Sequence, residues 1–336
     1  MTHDENQLLD VLTREGVLIS VSVRYWRAAK KLQADDLGLK PDNVSKELIS
    51  LGHKKLLPKE ALQPLALVES RAHALIDSST FPFLGVAHFL PNSKLEEVAG
   101  RLAELERDFV RAKLAFLGDY ERLREQARLD WTAAAERLVE EPELLVARIE
   151  AAFPAPEKME RSFRFSTQLF QIRIPESPEL HCVDLADQEA VVQARQAAAR
   201  TASVRIQQGV ERFVGDCVAT LRKETATLCD EMLASMQNGK KGVHQKTLNR
   251  LIRFIDEFRQ LNFVGDREME EQLDRVRREF LTLSAEDYRD NEVARERLQG
   301  GLRSLADTAR ELAAQDNREL VERFGQLGRR RIQKAA

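Results

Sequence analysis

Apolar residues recur along most of this chain in steps of three and four. One series runs Leu95, Val98, Leu102, Leu105, Phe109, Ala112, Phe116, Tyr120, Leu123 and Ala127; a second runs Ile206, Val210, Phe213, Cys217, Leu221, Thr225, Leu228, Met232 and Met236. This spacing lines one face of an α-helix over many turns. A helix from Leu95 to Ala127 would be about 50 Å long at roughly 1.5 Å per residue. Ser93 and Glu96 form a capping-box signature at its start, and Pro142 forces a kink or restart after Glu140. The second rod is expected to begin at Asp184 or Asp187 and to stop at Asn238-Gly239. A further helix carries Leu248, Leu251, Ile252, Ile255, Phe258 and Leu261. Gly265-Asp266 interrupts it before Met269, Leu273, Val276 and Phe280 resume the stripe. Ser284 is a second cap, with Asp287 three residues on, and helical pattern continues to Leu327, weakened at Gly300-Gly301.

Two segments break the helical period. Val17, Ile19, Val21 and Val23 alternate with Leu18, Ser20, Ser22 and Arg24, a period of two that reads as a strand. Its expected partner is Phe163 to Ile174, set off by Pro154, Pro156, Pro175 and Pro178, with a bulge or break near Gln168. Pro41 to Gly52 reads as a short helix, and Pro58 to Asp77 as another. The segment Thr80 to Pro91 is apolar and turn-rich, either a plug under the helices or an exposed docking surface. The expected fold is mainly α: an elongated bundle of long antiparallel helices with a small α+β head. Along the chain this gives 1–92 as an N-terminal α+β segment, 93–153 as the long helix and its kinked continuation, and 154–180 as the strand segment completing the head. Residues 181–328 are then a helical bundle and 329–336 a basic tail.

Composition fits long helices with ion-paired surfaces, since 32% of the residues are charged and 43% are hydrophobic. The net charge of −3 exerts no overall pull toward nucleic acid or anionic lipid. Cys182, Cys217 and Cys229 make no even disulfide framework, the start is acidic and polar, and no apolar run reaches the roughly 18 residues of a spanning helix. A cytoplasmic location is the expectation.

The search for chemistry finds little. Asn238-Gly239-Lys240-Lys241-Gly242 follows a helix and lacks the Ser or Thr of a phosphate loop, so it reads as a hairpin turn. His3, His53, His73, His88, His181 and His244 are scattered, and His181-Cys182 is a lone adjacent pair without a second pair at ligand spacing. Glu136, Glu140, Glu141 and Glu143 read as a solvated face. Cys217 lies on an apolar stripe and Cys229 beside it, as small core residues. No catalytic, cofactor-binding or metal-binding residue is assigned. Arg24, Arg27, Lys30 and Lys31 surround Tyr25 and Trp26, an arrangement that either binds phosphate and bases or anchors the strand. Arg329, Arg330 and Arg331 add a basic C-terminal cluster.

Leu12-Thr13-Arg14-Glu15-Gly16-Val17-Leu18-Ile19 and Arg24-Tyr25-Trp26-Arg27-Ala28-Ala29-Lys30-Lys31-Leu32 resemble a bacterial family catalogued as a domain of unknown function. So do the Phe81-Pro82-Phe83 to Phe89-Leu90-Pro91 segment and the Phe163–Pro175 region. The resemblance implies a gene neighbourhood with a MoxR-type AAA+ ATPase and a cobaltochelatase-like von Willebrand factor A protein, often on mobile elements, and hence a partner role with no catalytic residue to carry over. The expected function is a non-enzymatic adaptor or scaffold, with Trp26, Phe81, Phe83 and Phe89 as partner-contact or head-packing residues. One alternative is a nucleic-acid-associated protein using Arg24, Arg27, Lys30, Lys31 and the basic tail. The other is a membrane-active helical protein inserting Thr80–Pro91.

Overall fold

The structure is a computed structural model that describes residues 7–39, 50–171, 188–238, 243–315 and 317–332. The chain is mainly α-helical with a small antiparallel sheet. In order the elements are α1 (Gln7–Glu15), β1 (Gly16–Arg24), β2 (Ala29–Lys31), β3 (His53–Lys55), α2 (Gln63–Ser79), β4 (Phe81–Phe83), β5 (Ala87–Pro91), α3 (Asn92–Leu138), α4 (Pro142–Ala151), α5 (Pro156–Glu160), β6 (Arg164–Phe170), α6 (Gln188–Asn238), α7 (Gln245–Leu261), α8 (Arg267–Phe280), α9 (Ala285–Asp290), α10 (Glu292–Ala314) and α11 (Arg318–Ile332). One sheet has the order β4-β5-β1-β6, and β2 and β3 form a separate two-stranded ribbon.

The contacts divide the chain into two units. The first comprises Met1–Ile19, Ser79–Glu96 and Leu169–Ala336, and the second comprises Ser20–Ser78 and Glu97–Gln168.

In the first unit, α6 packs against α10, α11, α1 and α7, while α8 packs against α10 and α7. The second sequence stripe forms its spine: Val210, Phe213, Cys217, Leu221, Thr225, Leu228, Met232 and Met236 are all buried. Leu248, Leu251, Ile255, Phe258 and Leu261 of α7 join the same core. Asp266 caps α8 by accepting from the Met269 N–H at 3.3 Å, and Ser284 and Asp287 complete the capping box of α9. The expected continuous pattern after Ser284 is instead three helices: Asn291 caps the start of α10, which ends at Ala314, and α11 begins at Arg318. Conversely, Gly300-Gly301 does not weaken α10, which runs through both. A Cβ at Gly301 would come within 2.6 Å of the Phe280 ring, so the glycine admits α8 to close range. The caps expected at Asp184 and Asp187, the Gly239–Gly242 turn, His181 and Cys182 lie outside the described residues.

In the second unit, α3 buries Phe109, Phe116, Tyr120 and Ala127, as its stripe requires. These pack with Val23, Tyr25, Leu56, Leu65, Ile149, Met159 and Phe163. Pro142 opens α4 at its first turn. The helix expected from Pro58 is a 3₁₀ turn, Lys59–Leu62, running into α2. The short helix expected from Pro41 lies outside the described residues.

The sheet both agrees with and corrects the sequence reading. β6 lies beside β1, as expected, and continues unbroken past Gln168 to Phe170. On its other side β1 pairs with β5, Gly16 opposite Pro91 and Ile19 opposite His88, a partner that alternation within β1 does not reveal. Gly16 does more than end α1. A Cβ there would lie 2.4 Å from the Leu90 carbonyl oxygen and 2.5 Å from the Phe89 ring, so this register requires glycine. Ser93 does not cap α3, which starts at Asn92; its hydroxyl donates instead to the Gln260 carbonyl.

Candidate functional site

The Thr80–Pro91 segment is a β-hairpin. β4 and β5 pair with Phe81 opposite Phe89 and Phe83 opposite Ala87. Pro82 sits on the edge strand, where a missing N–H is tolerated. The Val86 N–H donates to the Phe83 carbonyl at 3.0 Å. Leu84 and Gly85 between them have φ of 48° and 71°, positive at both central positions as in a type I′ turn.

Phe81, Phe83 and Phe89 face the core of the first unit, with exposures of 5%, 1% and 1%. Phe83 and Phe89 meet Phe213 at centroid distances of 4.7 and 5.6 Å, and Phe81 and Phe89 meet Phe263 at 5.7 and 4.8 Å. Phe263 in turn meets Phe324 of α11 at 5.7 Å. These three phenylalanines therefore pack the interior and present no surface to a partner. Their alternation, Phe81 and Phe83 on one strand and Phe89 on the other, is the signal by which a one-faced hairpin is read. The apolar residues that reach solvent are the two at the tip, Leu84 at 44% and Val86 at 69% exposure, which the sequence reading did not single out. Leu84 also rests on α6, where a Cβ at Gly209 would lie 2.9 Å from its side chain.

The basic and aromatic cluster separates into unlike parts. Trp26 is half-buried among Phe116, Tyr120 and Phe153, at 6.4, 6.2 and 5.7 Å. Arg27 donates to both Glu69 oxygens at 2.7 and 2.5 Å and lies 4.0 Å over the Tyr25 ring. The Tyr25 hydroxyl donates to Glu69 at 3.0 Å. Desolvation, then the Glu69 hydrogen bond, pushes that phenol up to about 12. The Arg27 hydrogen bond holds the Glu69 carboxyl below its ordinary value. Arg24 is exposed at the end of β1.

Lys30 and Lys31 lie on the β2–β3 ribbon, exposed, together with His53 and Lys55. The fourth ribbon lysine, Lys54, is buried and donates to Asp36 at 2.7 Å. Asp36 also accepts from the Gln33 N–H at 2.9 Å, and Arg148 lies 3.7 Å from it. Burial alone would raise the Asp36 carboxyl, but these hydrogen bonds and charges outweigh it and hold the group below its ordinary value. Arg329, Arg330 and Arg331 belong to the last turns of α11, where side chains lie outside what the structure describes.

Elsewhere, Arg222 is buried and donates to Asp266 at 2.7 Å, to the Leu312 carbonyl at 2.6 Å and to Asn317 at 2.9 Å. Cys217 and Cys229 are buried free thiols; desolvation pushes the first well up and the second to about 12. Glu136, Glu140, Glu141 and Glu143 are exposed. An open groove of about 560 Å³ between α6 and α7 carries Glu224, Glu257, Lys246 and Arg253. Desolvation and then the neighbouring Glu257 raise the Glu224 carboxyl. Among the described residues no group of three or more His, Cys, Asp or Glu is placed to hold a metal, and no helix is long and apolar enough to cross a membrane.

The model of one protein family, described as "Protein of unknown function (DUF3150)", matches residues 13–193, more than half of the chain. No curated protein and no solved structure matches. The matched stretch contains β1, the ribbon, the hairpin, α3 and β6.

Proposed function

The chain belongs to the DUF3150 family, and from that premise we propose that it is a non-enzymatic adaptor or scaffold. Its partners in this reading are a MoxR-type AAA+ ATPase and a von Willebrand factor A protein encoded beside it, on a mobile element or in phage defence. The observation that carries the reading is the hairpin tip. Leu84 holds a positive φ in a turn that favours Asn-Gly or Asp-Gly, and still leaves nearly half of an apolar side chain in water beside Val86. Strain and apolar exposure together at one tip mark a surface kept for contact rather than for folding. The resemblance supplies the partners, and the tip supplies a place for one of them to dock.

The test is co-purification of the tagged full-length protein co-expressed with its two neighbours. Capture of either is expected, with Leu84→Asn/Val86→Asn folding normally and capturing less. If the wild-type chain brings down neither protein, the proposal fails.

A further inference from the structure

The β2–β3 ribbon concentrates positive charge beyond what its fold uses. Five of its six residues are Lys30, Lys31, His53, Lys54 and Lys55. Antiparallel register sets Lys30 opposite Lys54, and like charges directly opposite each other destabilise a strand pair. Asp36 offsets this for Lys54 alone, in a buried pair 2.7 Å long. Among the described residues, Lys30, Lys31 and Lys55 make no ion pair, and all three are exposed. The ribbon that carries them is firmly held. The Leu56 N–H donates to the carbonyl of buried Ala28 at 2.7 Å, and the Trp131 indole N–H donates to the Lys55 carbonyl at 3.1 Å. Lysines also guard short edge strands against pairing with other chains, and the same exposure leaves these three ammonium groups accessible to an anionic partner.

Spacing indicates what fits. Ala29, Lys31, His53 and Lys55 share one face of the ribbon, and the diagonal pair Lys31 and Lys55 is roughly 7–8 Å apart at the backbone. Alternate residues of an extended peptide are separated by roughly 6.5–7 Å, so same-side acidic residues of an extended segment match the spacing of the two lysine positions. Lys30 lies on the other face, opposite Lys54, and is exposed. Nucleic acid is the poorer match. Trp26 is half-buried among Phe116, Tyr120 and Phe153, which leaves little of its ring for a base to stack on.

We propose that the β2–β3 ribbon is a docking surface for an acidic protein segment bound in extended conformation, with Lys31 and Lys55 as its anchoring cations and Lys30 adding positive charge nearby. The assignment rests on the reading of the chain as an interaction subunit and gives it a second, polar surface distinct from the hairpin tip.

Fluorescence anisotropy of a labelled oligoglutamate peptide with the full-length protein tests it. Binding at low salt that weakens steeply as salt rises is expected. Lys30/Lys31/Lys55→Gln should lower the affinity about tenfold, as removal of complementary charge does. The matching arginine substitutions should preserve it. Arg275/Arg297/Arg303→Gln, which removes three exposed cations of the first unit, should leave it unchanged. Equal binding by wild type and the glutamine variant overturns the assignment, as does an equal loss in the control variant. Tighter binding of a single- or double-stranded oligonucleotide of matched charge overturns it too. Such a failure leaves wild-type capture of the ATPase and von Willebrand partners standing, whereas failure of the adaptor reading appears as loss of that capture while the peptide still binds the ribbon.

Discussion

Leu84 and Asp36 illustrate two ways in which one residue is held against its own preference. Leu84 occupies a left-handed backbone conformation that costs a β-carbon-bearing residue about 1–2 kcal/mol. Leu84→Asn lessens that strain, because asparagine tolerates the left-handed region better, at the expense of a partly exposed contact with α6, so a thermal melt of the variant is expected to lie at or above the wild-type midpoint. A marked fall would mean that the tip contributes more to folding than its exposure suggests. Asp36 is a buried carboxylate whose folded pKa lies below its unfolded value. The stability this provides is present above the ordinary aspartate value of about 3.9 and is lost as pH falls through the folded one. The chain's two tryptophans, Trp26 and Trp131, both lie in the second unit with Asp36, so tryptophan fluorescence reports that unit alone. Urea titration by this signal should show Asp36→Asn weakened near neutral pH and the gap to wild type narrowing toward pH 3. A gap of constant size would remove the ion pair from the account.

At the scale of elements, Arg222 joins α6, the cap of α8, the end of α10 and the start of α11 through three hydrogen-bonded partners. Removing one partner of a buried pair costs about 3–5 kcal/mol, chiefly by leaving the other charge buried without compensation. Arg222→Met should destabilise the first unit by that order. Adding Asp266→Asn should recover part of it, since asparagine keeps the N-cap of α8 without the charge. Alkylation of Cys217 and Cys229, mapped by mass spectrometry, reads this unit directly: both thiols are buried and disfavour the thiolate, so they react when the core opens. No recovery in the double variant would show that the polar network, rather than the stranded charge, sets the loss.

At the scale of the whole molecule, the chain crosses between its two units four times, at residues 19/20, 78/79, 96/97 and 168/169. The stretch matched by the family, 13–193, is therefore not a folding unit by itself. It contains the hairpin but neither Phe213 nor Phe263, the rings on which the hairpin packs, nor Phe324, which packs on Phe263. A fragment of residues 13–193 is expected to bind a hydrophobic dye and to associate in gel filtration, while the full chain does neither. A monomeric, dye-silent fragment would show that the hairpin finds another cover.

The helices were legible along the chain because a stripe repeating every three or four residues needs no knowledge of what covers it. The stripe from Val210 through Met236 is buried as that period requires, and so are Phe109, Phe116, Tyr120 and Ala127. Strand β1 and its neighbour β6 were legible for the same reason, through period two. What sequence could not decide was pairing between distant segments. Only tertiary structure set β5 beside Gly16, turned Phe81, Phe83 and Phe89 inward while leaving Leu84 and Val86 in water, and gave Lys54 a buried counter-ion in Asp36. Periodicity is a property of one segment, whereas burial of a short aromatic run and neutralisation of a charge depend on which remote atoms arrive beside them.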